Sequence, residues 1–473
     1  MNHAILRVFG AIVLLFVLLV AFTSRWTVFQ ASALRDNALN YRELLQELKI
    51  RRGKIYARDG DTVLARSVPR PGHTWGRTYP TGPLFAHPVG FANTALGQRT
   101  GLERSRDAEL TGQQNEFSSI LDELRGRSLV GDDVVTTLDP AAQKAAFAGL
   151  AGREGAVVAI VPQTGAVRVM AANPTYDPNN PSKGGGSAFN RATQGSPGYP
   201  PGSAFKTVTA TAAIDTHKFT PSSTLDGSSP RTISGVPLSN DAGESFGFID
   251  LTTALTHSVN TVWAQVGVAL GRSTMATYMQ RFGFYAKPPL DYPADQRTAS
   301  GEYANGRLLS PTSDAIDVGR MAIGQDKLAV TPLQMAMVAA AIANKGRLMR
   351  PHLTDRIVDP DGRTVDHVRP KVFSTVMSAS TAQQVNQMMQ NVVREGTGTA
   401  AALTGIDVAG KTGTAEVGCG GGAPGVQTWF IAFAPASDPK IAVAVTVRCS
   451  GGQGGTVAAP IAKSVMQSLL GNG

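Results

Sequence analysis

Ser203 and Lys206, in the string Ser-Ala-Phe-Lys, place a hydroxyl and an amine three residues apart. On a helix that spacing puts both on one face and within reach, and a serine beside an amine able to take its proton is an acyl-transfer nucleophile with its base. Two later strings could complete such a site. Ser258-Val259-Asn260 adds a second hydroxyl and an amide, and Lys411-Thr412-Gly413-Thr414 adds a cation, two hydroxyls and a glycine, suited to cradle a substrate carboxylate. Taken singly the first two are common: Ser-x-x-Lys is often a helix surface pair and Ser-x-Asn a turn.

Their surroundings argue for more. Ser203 follows Pro200-Pro201-Gly202 and precedes Phe205, Val208 and Ala212 at helical spacing, so it opens a helix. Free amides and the positive dipole end gather there, favouring an oxyanion and disfavouring a second cation. Ile406 and Val408 lead into Lys411, and Trp429 to Phe433 and Ile441 to Val447 are two more apolar, β-prone runs. These predict three adjacent antiparallel strands with the lysine string on an edge. Side-chain alternation then puts Thr412 and Thr414 on one face, with Gly413 leaving room for a ligand. It sends Lys411 the other way, so that its side chain must curl round the strand edge.

The whole chain has 473 residues, enough for several domains. A net charge of +9 raises the question of nucleic acid, but no Lys/Arg run carries interleaved aromatics, which argues against it. Anionic lipid headgroups or wall polymers fit the charge better. Val8 to Phe22 is apolar apart from Gly10 and is flanked by Arg7 and Arg25, as in a membrane anchor. A cleaved signal peptide is the rival, yet the small-x-small string Ala31-Ser32-Ala33 lies too far downstream. Ala31, Leu34, Ala38, Tyr41, Leu45 and Leu48 recur at spacings of three and four, predicting a helical stalk that either packs on its own domain or offers a seam to a partner. A β-rich stretch from Arg52 to Asp133 follows.

Cys419 and Cys449 are the only cysteines; they follow the first and third predicted strands, ends that coincide in a meander. A disulfide is expected if the domain faces an oxidising compartment, two thiols otherwise. No ligand spacing suggests a metal, and no cofactor is expected. His257 beside Ser258 is read as a helix-end residue and Glu416 as a solvated edge charge.

Arg52-Gly53-Lys54-Ile55 with Arg58, Gly60, Leu64 and Ala65, then Gly97, Gly101-Leu102-Glu103 and Leu110-Thr111-Gly112, resemble the pedestal motifs of class B penicillin-binding proteins. Ala57 stands where that family usually has aspartate. From Gly155 onward the resemblance is continuous, through Thr164-Gly165, Asn190-Arg191-Ala192, Gly324-Gln325 and Thr331 to Gln334. The short pedestal is most similar to the actinobacterial A type.

The resemblance implies a multi-domain α+β protein. A single transmembrane helix (1–25) precedes a stalk and β-rich pedestal (26–150), then a transpeptidase domain (151–473) with a five-stranded antiparallel sheet, flanking helices and a helical lobe, like serine β-lactamases. It further implies acylation of Ser203 by peptidoglycan stem peptides ending in D-Ala-D-Ala, or by β-lactams, with Lys206 as base. Ser258 would relay the proton and Asn260 hold the peptide and Lys206. Lys411, Thr412, Gly413 and Thr414 would receive the carboxylate, and the amides of Ser203 and Thr414 form the oxyanion hole. A SEDS-type glycan polymerase is an implied partner, and the catalytic domain would lie outside the cytoplasm. A D,D-carboxypeptidase, a penicillin-sensing receptor and a non-catalytic scaffold are the alternative readings.

Overall fold

The computed structural model describes residues 2–25, 45, 47–112, 130–183, 186–195, 198–419 and 424–471. Of the predicted stalk, Ala31, Leu34, Ala38 and Tyr41 lie outside these residues. Helix α1 (Asn2–Ser24) is apolar and long enough to cross a membrane. Strands β1 (Ile55–Tyr56), β2 (Val63–Arg70), β3 (Thr74–Thr78) and β4 (Asp133–Thr136) build the pedestal, and α2 (Pro140–Leu150) follows. The hairpin β5 (Gly155–Ile160) and β6 (Val167–Asn173) precedes helices α3 (Lys206–Asp215), α4 (Asn260–Leu270) and α5 (Pro332–Ala343). Strands β7 (Thr354–Val358) and β8 (Thr364–His367), helix α6 (Ala379–Arg394), strands β9 (Ala409–Gly418), β10 (Pro424–Ala434) and β11 (Ile441–Ser450) and helix α7 (Gly454–Gly471) complete the framework.

The five-stranded sheet is ordered β9-β10-β11-β5-β6, antiparallel throughout, with β9 on an edge as predicted. Its central strands are covered on both faces, which is why they read as unbroken apolar runs. Ala156, Val158 and Ile160 of β5 enter a core that also holds α3 and α5, while Val157 and Ala159 enter a second core with α2 and α7. Helix α5 has all twelve residues buried, consistent with its apolar circumference. Thr331 caps it by accepting from Gln334 N, with Pro332 in its first turn.

The pedestal sheet runs β8-β7-β4-β1-β2-β3. Two of its strands come from residues 354–367, in the stretch expected to be transpeptidase domain, so the two regions share chain as well as surface.

Candidate active site

The first string folds as a 3-10 turn, Gly202–Phe205, running directly into α3. In a 3-10 turn residues three apart eclipse, which stands Ser203 over Lys206. Ser203 is half-buried and its hydroxyl has no hydrogen-bond partner among the described residues, whereas Lys206 is 0% exposed. Glycine is required twice here. Gly202 has φ +52° and a Cβ on it would lie 2.4 Å from Thr414 O; Gly324 has φ +79° and its Cβ would lie 1.9 Å from Gly202 O. Gly202 N donates to Gly324 O (3.0 Å) and Trp429 Nε1 to Pro200 O (2.8 Å), clamping the turn against the sheet.

The second string closes over Lys206. Its Nζ lies 2.6 Å from both Ser258 O and Asn260 Oδ1, and 3.3 Å from Ser258 Oγ. A neutral amine has two N–H donors and one lone pair; the two short contacts take the donors and leave the lone pair for a hydroxyl proton. Ser258 sits between helix Leu251–Thr256 and α4 with φ +61°. That left-handed geometry costs a residue with a side chain about 1–3 kcal/mol, and here it offers both the carbonyl and the hydroxyl of Ser258 to one amine. Asn260 Nδ2 donates to Ser239 O (3.1 Å), fixing the amide so that Oδ1 faces Lys206.

Lys411 is also 0% exposed, and its Nζ donates to Ser258 Oγ (3.0 Å), Thr412 O (3.0 Å) and Thr412 Oγ1 (3.3 Å). Its Nζ thus reaches a hydroxyl on the opposite β9 face, coming round the strand edge as expected. Lys411 and Gly413 share the β9 face turned toward Ser203, and a Cβ on Gly413 would meet Pro201 O at 2.4 Å and Ala204 N at 3.0 Å. The two faces are divided as expected, but Gly413 makes room for the nucleophile's own turn rather than for a ligand. Thr412 and Thr414 point the other way, where Thr412 Oγ1 pairs with Thr397 Oγ1 (2.6 Å) and Thr414 Oγ1 accepts from Gly454 N (3.1 Å). As an acceptor in that bond, Thr414 keeps its own O–H to donate.

Two buried amines with no carboxylate bonded to either among the described residues are driven to shed charge. Burial, then the charge of Lys411, pushes Lys206 well below the ordinary amine range, with Asp241 opposing. Burial lowers Lys411 to about 7. Both amines touch the Ser258 hydroxyl, so a proton can pass through it.

Thr397 escaped the sequence reading, as did a cross-cleft bond from Gln453 Nε2 to Asp241 Oδ2 (3.0 Å). A lone threonine, glutamine or aspartate carries no signal until the fold brings it to the site. His257 caps a helix end and stacks on Phe246, with ring centroids 5.8 Å apart, and Glu416 is exposed. Cys419 and Cys449 form a disulfide with Cα atoms 5.8 Å apart. No group able to hold a metal occurs among the described residues.

Residues 155–467 match the penicillin binding protein transpeptidase domain, and residues 52–134 the penicillin binding protein A dimerisation domain. The chain belongs to the penicillin-binding proteins. All three strings fall inside the transpeptidase match. This penicillin-binding protein is 34% identical to the peptidoglycan D,D-transpeptidase PbpA of Mycolicibacterium smegmatis, over 100% of both chains. It is 32% identical to PbpA of Mycobacterium tuberculosis, over 99% of each. The ceftriaxone acyl-enzyme complex of M. tuberculosis penicillin-binding protein A superimposes with a TM-score of 0.80, at 31% identity, covering 90% of this chain and 100% of that one.

Proposed function

We propose that this penicillin-binding protein is a peptidoglycan D,D-transpeptidase working through a Ser203 acyl-enzyme. The observation that carries the reading is the buried Lys206 amine, held by Ser258 and Asn260 and facing a second amine, Lys411, across the Ser258 hydroxyl. Burial, then the charge of Lys411, pushes the Lys206 amine well below its usual range, toward the neutral form a base needs. Neutral Lys206 takes the Ser203 proton as Oγ attacks the carbonyl of the penultimate D-Ala. The amides of Ser203 and Thr414 would hold the oxyanion, each donor contributing about 3–4 kcal/mol. The proton returns through Ser258 to the departing D-Ala nitrogen, and an amine of a second stem peptide resolves the ester by the reverse path. Lys411, Thr414 and Thr412 would receive the terminal carboxylate, β-lactams entering by the same contacts.

On this reading residues 1–25 are tail and anchor, 26–150 stalk and pedestal, and 151–473 the transpeptidase domain. The anchor holds the catalytic domain on the outer side of the cell membrane, where a SEDS-type polymerase would supply new glycan. Mass spectrometry after benzylpenicillin tests the site: a covalent adduct on the protein that is absent from Ser203→Ala is expected, and an unmodified wild type refutes it. Incubation with stem peptide plus an amine acceptor should give the transferred product. Hydrolysis alone would make the protein a D,D-carboxypeptidase.

A further inference from the structure

A groove of about 900 Å³ opens where the β8 edge of the pedestal sheet meets the transpeptidase region, lined by residues 289–291, 297, 350–352, 364–369 and 371. None of these residues belongs to the three catalytic strings. Its charge is one-sided. Arg297, Arg350, Arg369 and Lys371 line it, and none has a carboxylate within ion-pair distance among the described residues. Two carboxylates are present, but Asp291 is already spent: it accepts from Leu353 N (2.6 Å), Thr354 N (2.9 Å) and Arg106 Nη2 (3.1 Å). Asp366 is exposed on β8. Among the described residues Arg297 hydrogen-bonds only carbonyl oxygens, those of Pro288 and Pro293, and burial lowers its pKa with the nearby Asp291 charge opposing. A half-buried guanidinium left in this state is stabilised by an incoming anion.

We infer that this groove binds a strand of an anionic cell-wall polymer through its phosphate or carboxylate groups. The class of ligand rests on the extracytoplasmic placement proposed above; the groove and its charge do not. A concave trough fits a linear strand better than the plane of a bilayer. Its lining has no Phe, Tyr or Trp on which a nucleobase could stack, which turns the choice away from nucleic acid. Four cations along one trough also suit a repeated charge rather than a single ion.

The test uses the full chain in an uncharged detergent, with long-chain polyphosphate and polygalacturonate as the phosphate and carboxylate probes. At least one should bind, and added salt should weaken it. Replacing Arg350, Arg369 and Lys371 together by Ser, all at exposed positions, should weaken binding about tenfold or more. A control lacking three dispersed exposed cations, Arg66, Lys144 and Arg307, should stay within about threefold. The inference falls if neither polymer binds, if the groove variant binds like wild type, or if the control loses as much. Binding only to phosphatidylglycerol vesicles would assign the cations to the membrane, and competition by equimolar inorganic phosphate would reduce the groove to a single-ion site; either overturns it. The benzylpenicillin adduct of the groove variant reports folding and the Ser203 reading independently.

Discussion

Two regions of this chain bury cations, and they treat them in opposite ways. In the pedestal, Arg52 and Arg77 converge on fully buried Glu103: Arg52 Nη2 lies 3.0 Å from Oε2 and Arg77 Nε 2.6 Å from Oε1, while Asp107 takes the other end of Arg52 at 2.6 Å. At the active site, Lys206 and Lys411 are equally buried but bond hydroxyls, carbonyls and an amide. The pKa directions follow. Burial would raise Glu103, yet Arg77 and Arg52 overcome it and hold the carboxylate below its usual value; Arg52 is likewise raised against its own burial. The two lysines are lowered. A paired buried charge remains a charge and fixes structure, whereas an unpaired one becomes a base.

Removing Lys206 should break the catalytic half of this comparison with the largest effect. Lys206→Ala is expected to slow acylation by benzylpenicillin by about 10³-fold, the usual weight of a general base. Its melting temperature should hold or rise, because an unpaired buried amine is lost along with its packing; a large fall in melting temperature would mean that the amine is structural. Glu103→Gln is the mirror experiment. It strands Arg52 and Arg77 without their carboxylate and should cost about 3–5 kcal/mol in urea unfolding, while the folded fraction keeps its acylation rate. If acylation falls in step with Lys206→Ala, the two regions are not separable.

A weaker tie lies between these extremes. The Cys419–Cys449 bridge closes a 30-residue separation beyond the end of β9. The double Ser variant should lose up to about 3–4 kcal/mol on chain-entropy grounds. Acylation should fall only modestly, since Lys411 is anchored by Ser258 and Thr412 rather than by the loop. A drop as deep as that of Lys206→Ala would show that the bridge sets the site.

The contrast also explains what the sequence could reveal. The three strings, the strands around Lys411 and the apolar anchor were legible because each is local: a helix start after Pro-Pro-Gly, a run of β-prone residues, an unbroken apolar stretch. The neighbour of Gly413 was missed because alternation fixes only that Lys411 and Gly413 share a side, not which side meets Ser203. That choice depends on Pro201 and Ala204 packing onto Gly413. The pairing of β7 with β4, 218 to 225 positions apart in sequence, and the clamp from Gln453 to Asp241 likewise rest on long-range contacts that leave no periodic trace. Glu103 was seen only as part of a resemblance; its pairing with Arg52 and Arg77 needed the fold.

The finest test uses pH, since both regions make stability rise with pH but in separate windows. Glu103 has a folded pKa below its unfolded value of ~4.3, so the unfolded chain binds the extra proton there. Its contribution is complete above that value and is lost as pH falls through the folded pKa. The lysines are depressed from ~10.4; below that value the unfolded chain again holds more protons, so stability climbs from about 7, where Lys411 titrates, toward 10. Urea midpoints should therefore show an acid slope that Glu103→Gln removes and an alkaline slope that Lys411→Met flattens. Catalysis runs against the second slope. Carboxylate capture by Lys411 fails as it loses its proton near 7, so kcat/KM should fall on the alkaline side while stability is still rising. Lys411→Arg, which cannot deprotonate in this range, should shift that alkaline fall above pH 10. An unmoved limb would assign it to some group other than Lys411.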